Sequence, residues 1–351
     1  MKIVVNDIAA STGGAMSILR DFYSCVCEND HENQWIFLLG EKYFEETENV
    51  KILTLPEIKK SRLKKLRFDL FTGRRYIGKL QPDVVFSLQN TITFGLKVPQ
   101  VVYIHQALPF QTTKRFSFFR TSERALAVVQ HFIGQVIKLS ARRSNCVIVQ
   151  TKWLQDAVCK SCHLPPKKVV QIMPDVQNIA LRADDNSVQN HQFFYPTGSG
   201  LYKNTNAVMQ ASALLTQKGL PHTVTMTLPA EKSQGNVHCI GKIPYEQVLQ
   251  RYQTSTLLFP SYIETFGYPL AEARQVGTII LAADTPFARE LLAGYKNGYF
   301  FDPFDPKALA ELMEKVITGQ ITLVPSPCAQ PSQTGSWCQV VNLIISYGRS
   351  L

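Results

Sequence analysis

The stretch Thr256–Gly277, TLLFPSYIETFGYPLAEARQVG, leads from a strand-like segment through a Phe-Gly turn into a helix-like segment. Its first residues, TLLFP, form the kind of apolar run that is typical of a strand buried on both faces in a parallel sheet. Pro269 fits the first turn of a helix, which needs no N–H there, and Gly277 is a common helix terminator. A second apolar run, TIILAA, follows at once. Strands interleaved with helices in this way predict a doubly wound α/β domain.

The same alternation extends over the whole chain of 351 residues. Further apolar runs predict buried strands, namely KIVVND, WIFLLG, VKILTLP, DVVFSLQ, QVVYIHQ, CVIVQT, FFYPTG, HTVTMTL and VHCIG. A polar stretch after Pro174 divides the series and reads as a linker. We therefore predict two Rossmann-like doubly wound domains, residues 1–173 and 174–335, with residues 336–351 packing back on the first. Ligands of open α/β sheets bind beyond the carboxyl ends of the strands, so we expect the site in a central cleft that the two domains face.

The composition indicates a folded protein without a membrane-spanning helix. Apolar residues make up 45% of the chain and charged residues 18%, which is ordinary for a globular protein. No apolar run approaches the roughly 18 to 20 residues that a spanning helix needs. The opening MKIVVNDIAASTGG has too short an apolar core for a signal peptide, so we expect a cytoplasmic protein. The absence of G-x-G-x-x-G and G-x-x-x-x-G-K-[ST] argues against a nicotinamide dehydrogenase and a P-loop nucleotidase.

The cysteines do not predict a metal centre. Cys159, Cys162 and His163 have metal-like spacing, but no second Cys or His pair follows to complete a zinc site. We interpret the eight cysteines as reduced structural thiols.

The positive charge of the chain is concentrated in its first half. The formal net charge is +10, and the segment Lys59–Lys79 alone contains nine Lys or Arg against Asp69. A second basic segment, residues 112–143, holds seven Lys or Arg against Glu123. Leu63, Leu66 and Leu70 recur at helical spacing among the first set, which predicts an amphipathic helix on an anionic membrane surface. The alternative is a solvated helix whose leucines face the core. No nucleic-acid-binding module is recognisable in the sequence, so we expect no nucleic-acid partner.

Two glutamates flank the Phe-Gly turn of the opening stretch. Free N–H groups at a helix start form an anion site, and Gly267 allows a phosphate to come close. Glu264, before the helix, and Glu272, within it, can accept hydrogen bonds from sugar hydroxyls on either side of that anion. One acid would then bind each sugar of a nucleotide sugar, with the diphosphate between them. The alternative is that both acids are solvated surface residues.

The pattern E-x-F-G-x-x-x-x-E after an apolar strand resembles the GT-B glycosyltransferases, specifically the large retaining family four of the group 1 type. Further similar segments are AADTPFARELL with Glu290, GYFFDPFDPKALAELM, YPTGSGLYKN, VYIHQALPF, VIVQTKWLQDAV and the Gly13-Gly14 turn. The resemblance covers nearly the whole chain. It implies that residues 1–173 form an acceptor-binding domain and that residues 174–335 bind the nucleotide-sugar donor.

The resemblance also implies a role for each site residue. His105, Lys203 and Glu264 would be catalytic: Lys203 holds the donor phosphates, Glu264 binds the donor sugar, and His105 binds that sugar near the transfer point. The substrate-binding residues would be Gly13, Gly14, Thr265, Phe266, Gly267, Tyr268 and Glu272, with Glu272 on the ribose. The family usually has an arginine a few residues before the lysine. Here Thr197–Lys203 contains none, so another basic residue or the Gly/Ser-rich backbone replaces it, or donor binding is weaker.

The implied activity is retaining hexosyl transfer from a nucleotide-diphosphate sugar to a glycan or polyprenyl-linked acceptor. The implied process is bacterial surface polysaccharide biosynthesis, of capsule, O-antigen or exopolysaccharide, on the cytoplasmic face of the inner membrane. We see no D-x-D motif at a strand end and therefore expect neither a metal nor another cofactor. The alternatives are a non-catalytic nucleotide-sugar-binding protein and a GT-B type sugar-nucleotide epimerase.

Overall fold

The computed structural model describes residues 1–10, 14–176, 189–324 and 335–349. The chain divides into two compact units, Met1–Asp175 with Gln333–Leu351, and Val176–Ser332. Each unit is built on one sheet whose strand pairs are all parallel, with helices between the strands. The predicted fold class, two doubly wound α/β domains, is therefore confirmed.

The sheet of unit 1 has the strand order β3-β2-β1-β4-β5-β6-β7. Its strands are β1 Lys2–Asp7, β2 Gln34–Leu39, β3 Val50–Thr54, β4 Val84–Ser87, β5 Gln100–Tyr103, β6 Cys146–Val149 and β7 Val169–Gln171. The order reverses between β1 and β4, where Ile3 pairs with Val84. β4, β5 and β6 are buried at every position, as their continuous Val/Ile/Phe sequences require.

The helices of unit 1 cover both faces of this sheet. They are α1 Gly14–Asn29, α2 Pro56–Lys59, α3 Arg62–Arg67, α4 Gly73–Gly78, α5 Arg124–Val128, α6 Gly134–Arg143 and α7 Lys152–Cys162. π-helical turns at Phe68–Thr72 and Val129–Ile133 join α3 to α4 and α5 to α6.

Most of the basic segment Lys59–Lys79 forms one continuous helical run over residues 62–78, through α3, the π-helical turn and α4, and this run contains Leu63, Leu66 and Leu70. Ser61 is extended and its hydroxyl accepts the N–H of Lys64, which separates this run from α2. Phe68 and Ile77 are the residues that enter the core. Leu63 and Leu66 are exposed and Leu70 is half-buried, so the three leucines do not face the core together.

The sheet of unit 2 has the strand order β10-β9-β8-β11-β12-β13. Its strands are β8 Gln192–Tyr195, β9 Thr223–Met226, β10 Val237–Cys239, β11 Thr256–Phe259, β12 Ile280–Ala283 and β13 Gly298–Phe301. The helices are α8 Thr205–Gln217, α9 Tyr245–Thr254, α10 Tyr268–Val276, α11 Pro286–Leu291 and α12 Pro306–Ile317. Here the order reverses between β8 and β11, the strand from which the opening stretch begins.

The last helix, α13 Ser336–Arg349, belongs to unit 1. The carboxylate of Asp175 caps it by accepting the N–H of Ser336 at 3.0 and 3.1 Å. The ring of Trp337 lies 5.5 Å from those of Phe22 and Tyr103, in the core of that unit. No helix within the described ranges is both long and apolar enough to cross a membrane.

Candidate active site

Lys203 and Glu264 meet where the strand order of unit 2 reverses. Lys203 lies in a 3₁₀ turn after β8, and Glu264 lies in the loop after the neighbouring strand β11. The ammonium of Lys203 donates to Oε1 of Glu264 at 2.5 Å, and the hydroxyl of Ser261 donates to the same oxygen at 2.8 Å. The reversal point of a doubly wound sheet is where such folds bind ligands. The structure thus brings two of the predicted catalytic residues together at that point.

The backbone of the Lys203 turn is fixed from two sides. The main-chain N–H of Tyr262 donates to the carbonyl of Tyr202 at 3.1 Å, and the hydroxyl oxygen of Ser261 lies 3.3 Å from the same carbonyl oxygen. From the end of β8, the phenol of Tyr195 donates to the carbonyl of Lys203 at 2.7 Å. Sequence reasoning missed Tyr195 and Ser261, since nothing in their spacing shows that they touch this turn.

Asn204 ends the turn in the left-handed conformation, with φ of 56°. Its side-chain amide donates to the carbonyl of Pro303 at 2.6 Å, which ties the turn to the loop after β13. The ammonium of Lys203 is therefore carried on a backbone held by three strand ends. Such preorganisation is what an electrostatic catalyst needs.

The ion pair has capacity for further ligands. Both side chains are partly exposed, and the three N–H groups of an ammonium can serve Glu264 and an incoming phosphate together. Glu264 can in turn accept hydrogen bonds from hydroxyl groups. An anion and a polyol are therefore the ligand chemistry that this pair fits.

The α10 helix begins four residues after Glu264, with Pro269 in its first turn and Gly267 as N-cap. Gly267 has φ of 99°, and a Cβ there would lie at ordinary contact distances of 3.5 to 3.7 Å from its neighbours. The backbone conformation, rather than close packing, therefore requires glycine. Phe266 is buried and its ring lies 5.0 Å from that of Tyr268, so its side chain supports the turn. Thr265 lies in the same turn. The N–H groups at the start of a helix favour an anion there.

Glu272 lies on the buried face of α10 and is only 8% exposed. Its Oε1 accepts the phenol of Tyr245 at 3.1 Å, and its Oε2 accepts the phenol of Tyr252 at 2.9 Å. Burial raises the pKa of Glu272, and the two phenol hydrogen bonds partly offset that rise. The interpretation of Glu272 as a solvated surface acid is therefore wrong. Both tyrosines escaped the sequence analysis, although their seven-residue separation places them on one face of α9.

His105 follows β5 in unit 1, and its main-chain N–H donates to the side-chain carbonyl of Asn90 at 2.7 Å. Burial of the imidazole lowers its pKa to about 4, and a hydrogen bond to the carbonyl of Leu88 opposes that shift. The ring is therefore neutral near pH 7. With one ring N–H given to Leu88, the other ring nitrogen is an acceptor for a ligand hydroxyl.

The predicted glycine turn is only partly described. Gly14 is the exposed first residue of α1, and a Cβ there would meet no atom within 4 Å. Gly13 lies outside the described residues. Gly14 and His105 belong to unit 1, whereas Lys203, Glu264, Thr265 to Tyr268 and Glu272 belong to unit 2.

The segment without the expected arginine has room for a side chain. Gly200 is extended, with φ of 175°, and a Cβ there would lie 3.5 Å from side-chain atoms of Lys203 and Tyr202. A Cβ on Gly198 would meet nothing within 4 Å. The main chain before them is fixed, since the N–H of Thr197 donates to the hydroxyl of Thr227 at 2.7 Å. Packing therefore does not exclude an arginine from this turn.

In the described parts of the chain, no group of three or more His, Cys, Asp or Glu side chains is arranged to hold a metal ion. Asp184 and Asp185 lie outside those parts.

Comparisons with known proteins place part of the chain in a family of glycosyl transferases. Residues 226–327, from the end of β9 to beyond α12, match the model of the family described as glycosyl transferases group 1. A curated relative, the D-inositol 3-phosphate glycosyltransferase of Mycolicibacterium smegmatis, is 27% identical over 158 residues. That match covers 44% of this chain and 32% of the relative, about a third of its length.

Similar solved structures cover almost the whole chain. Sucrose-phosphate synthase from Thermosynechococcus elongatus has a TM-score of 0.66 at 13% identity, over 99% of this chain and 96% of that one. The lipopolysaccharide outer core galactosyltransferase WaaB has a TM-score of 0.65 at 14% identity, over 99% of both chains. The UDP-GlcNAc 2-epimerase from Methanocaldococcus jannaschii, also covered over 99% of both chains, has a TM-score of 0.54 at 12% identity. At these identities the likeness shows the fold alone. The resemblance found in the sequence is confirmed to that extent: residues 226–327 match glycosyl transferases group 1, and the chain has the two-domain GT-B fold.

Proposed function

We propose that the chain transfers a hexosyl group from a nucleotide-diphosphate sugar to a glycan or lipid-linked acceptor, with retention at the anomeric carbon and without a metal. The observation that carries this proposal is the pairing of Lys203 with Glu264 at the reversal point of the unit 2 sheet, just before the start of α10. A cation and a helix N-terminus fit a diphosphate. A carboxylate beside them fits the hydroxyls of the attached sugar.

In this mechanism, the bond between the anomeric carbon and the diphosphate oxygen breaks, and its electron pair leaves with the diphosphate. Lys203 and the first turn of α10 stabilise the growing negative charge where it develops. Glu264 binds hydroxyls of the sugar as it becomes oxocarbenium-like. Retention requires that the acceptor oxygen bond to the anomeric carbon on the face from which the diphosphate leaves, and the proton of the acceptor hydroxyl passes to the departing diphosphate oxygen. His105, neutral near pH 7, accepts a hydrogen bond from a donor-sugar hydroxyl.

We further propose that unit 1 works at an anionic membrane surface that carries the acceptor, on the cytoplasmic face of a bacterial inner membrane. Large apolar side chains are exposed among the basic residues of Lys59–Lys79, with Leu63 at 78% and Phe71 at 64%. The second basic segment also exposes Phe119 at 94% and Phe132 at 66%. Exposed apolar groups with surrounding cations are what an anionic lipid interface binds. Surface polysaccharide synthesis is the process in which such an acceptor would be extended.

The epimerase alternative keeps a specific observation in its favour, because a sugar-nucleotide epimerase shares this fold. The non-catalytic alternative rests on the arginine missing from Thr197–Lys203. A single assay separates all three functions. Nucleotide sugars of uridine, guanosine and other bases are incubated in EDTA, with and without anionic vesicles that contain polyprenyl-linked glycan. Release of nucleoside diphosphate and the products are followed by NMR.

We expect the release of nucleoside diphosphate to depend on the acceptor. The anomeric configuration of the new linkage, α or β, should be the same as that of the donor sugar. Glu264→Gln is the matched variant, since it keeps the volume of the side chain and removes its charge, and it should release less nucleoside diphosphate than the wild type. A free epimeric nucleotide sugar formed without acceptor would identify an epimerase. Binding without turnover of any donor would favour the non-catalytic function, and activity restored only by added Mg²⁺ or Mn²⁺ would contradict metal independence.

A further inference from the structure

The carboxylate of Glu272 is held by two phenols from one neighbouring helix. Tyr245 and Tyr252 are seven residues apart on α9, close to two helical turns, so both face α10. Each donates to a different oxygen of Glu272, at 3.1 and 2.9 Å. The arrangement holds the carboxylate at both ends and fixes the orientation of its plane.

The phenols favour the ionised form of the Glu272 carboxylate, against the effect of burial. Burying a charge without partners is costly, and burial does raise the pKa of Glu272. The hydrogen bonds from Tyr252 and Tyr245 lower the pKa of Glu272 in turn. Burial and the nearby carboxylate raise the pKa of each phenol, so both phenols stay protonated and donate.

The arginines of α10 and of the adjacent helix α11 are engaged elsewhere. The Arg274 guanidinium, on the same helix, donates to the carbonyls of Leu291 and Ala293. The Arg289 guanidinium, on the adjacent helix α11, donates to both oxygens of Asp284 at 2.7 Å. The two phenols are therefore the donors that hold the Glu272 carboxylate.

The carboxylate keeps acceptor capacity after both phenols are served. An ionised carboxylate has about four lone-pair sites, and two are occupied here. The two tyrosines also differ in burial. Tyr252 is buried with its ring 5.9 Å from that of Phe194 in β8, whereas Tyr245 is partly exposed. Tyr252 is thus the more deeply buried of the two partners, and Tyr245 is the one nearer to solvent.

We propose that Tyr245 and Tyr252 are positioning residues of the ribose subsite: they orient the Glu272 carboxylate so that its remaining lone pairs accept the two vicinal ribose hydroxyls of the donor. This inference rests on the proposed function, because it needs a nucleotide at Glu272. A diol is the chemical group that two coplanar carboxylate oxygens recognise. Loss of either phenol removes one of the two hydrogen bonds that orient the carboxylate, so the discrimination between ribose and deoxyribose falls.

The test compares ribonucleotides with their deoxy counterparts. Binding of UDP, GDP, 2′-deoxy-UDP and 2′-deoxy-GDP is measured by calorimetry for the wild type, Tyr252→Phe and Tyr245→Phe. For whichever base binds, we expect the wild type to prefer the ribose form and each variant to lose roughly tenfold in ribonucleotide affinity, the scale for a hydrogen bond to a charged group. Affinity for the deoxy form should change much less.

Tyr295→Phe is the matched control. It also deletes a buried phenol bond of unit 2, from Tyr295 to the carbonyl of Thr278 at 2.6 Å, but away from Glu272. It should lower the melting temperature without changing the ribose preference. A ribose preference that survives in both Tyr252→Phe and Tyr245→Phe overturns the inference and leaves the proposed function standing. If the wild type binds none of the four nucleotides, the comparison is repeated with ADP, CDP and their 2′-deoxy counterparts, and no binding of any of them makes the proposed function and this inference fail together.

Discussion

At the scale of single residues, the site consists of charges whose partners are already in place. Lys203 is paired with Glu264, and Glu272 is held by two phenols. A ligand that binds here meets oriented groups and orders few side chains on arrival. The sequence pattern pointed to the two acids and the lysine. It could not point to Tyr195, Ser261, Tyr245 or Tyr252, because those contacts arise only when separate strands and helices pack.

The missing arginine can be tested by putting it back. Gly200→Arg adds a guanidinium three residues before Lys203, on extended backbone with room for the Cβ. A further charge-assisted hydrogen bond to the donor phosphates should raise affinity by roughly 1.5 to 3 kcal/mol. Calorimetry with the preferred nucleotide sugar measures this gain, and Gly200→Gln controls for side-chain length. Equal affinity of both variants would show that this position does not face the phosphates.

Asp7, the last residue of β1, makes the stability of the chain depend on pH. Burial raises its pKa to about 7, although the charge of Lys65 opposes the rise. The folded chain therefore holds a proton that the unfolded chain releases near pH 4, so the free energy of unfolding falls as pH rises from about 4 to about 7.

Asp7→Asn removes that proton linkage while preserving the volume of the side chain. The variant should gain melting temperature relative to the wild type at pH 8 and gain little at pH 5. Asp156→Asn, which makes the same change at an exposed position of α7, serves as the control. An equal effect of Asp7→Asn at both pH values contradicts the raised pKa.

At the scale of elements, most strands could be predicted because continuous runs of Val, Ile, Leu and Phe are typical of strands that helices cover on both faces of a parallel sheet. β13 was harder to find, since as an edge strand it is mostly half-buried and its sequence GYFF begins with glycine. The amphipathic helix predicted in the basic segment Lys59–Lys79 is a helical run over residues 62–78, and the extended Ser61 sets its start. The spacing of the leucines could not locate that start.

The start of α10 depends on the left-handed backbone of Gly267. Gly267→Ala should lower the free energy of unfolding by about 1 to 2 kcal/mol, the cost of a side chain in that conformation. It should also weaken donor binding by disturbing the helix N-terminus. Urea unfolding and calorimetry measure the two effects. Gly198→Ala, in open space and without a positive φ, should be neutral or stabilising. Similar losses in both variants would contradict the role given to the Gly267 backbone.

The membrane surface can be tested with residues that the fold does not need. Four lysines of the segment are ion-paired, namely Lys59 with Glu41, Lys60 and Lys64 with Glu57, and Lys65 with Asp69. Among the described residues, no carboxylate pairs with the guanidinium of Arg62, Arg67, Arg74 or Arg75. Replacing these four arginines with glutamine should reduce flotation with phosphatidylglycerol vesicles, since each cation near such a surface contributes about 1 kcal/mol.

Neutral phosphatidylcholine vesicles are the control lipid, and calorimetry should give the same affinity for the soluble donor before and after the change. A combined Leu63→Ser and Phe71→Ser variant tests the apolar part of the same surface. Unchanged flotation of both variants on anionic vesicles removes this segment from the proposed membrane surface.

At the scale of the whole molecule, the chain repeats one architecture twice and then returns to the first copy. Both sheets reverse their strand order after the first strand of the unit, so each places its binding edge at a comparable position. α13 then completes the core of unit 1 through Trp337. The two-unit plan could be predicted because the apolar runs restart after a polar stretch. The roles of His105, Lys203, Glu264 and Glu272 stay predictions, since they depend on a donor that the fold alone does not identify.

The most direct test of the central claim, that unit 2 binds a nucleotide sugar at this site, is calorimetric titration with a panel of nucleotide-diphosphate sugars in EDTA. The wild type should bind at least one donor saturably. Lys203→Gln should weaken this binding. Glu272→Ala should reduce the binding free energy of the donor by roughly 1.5 to 3 kcal/mol, as expected for hydrogen bonds to a charged group. Binding that is unchanged in both variants, or no binding of any donor by the wild type, would contradict the account.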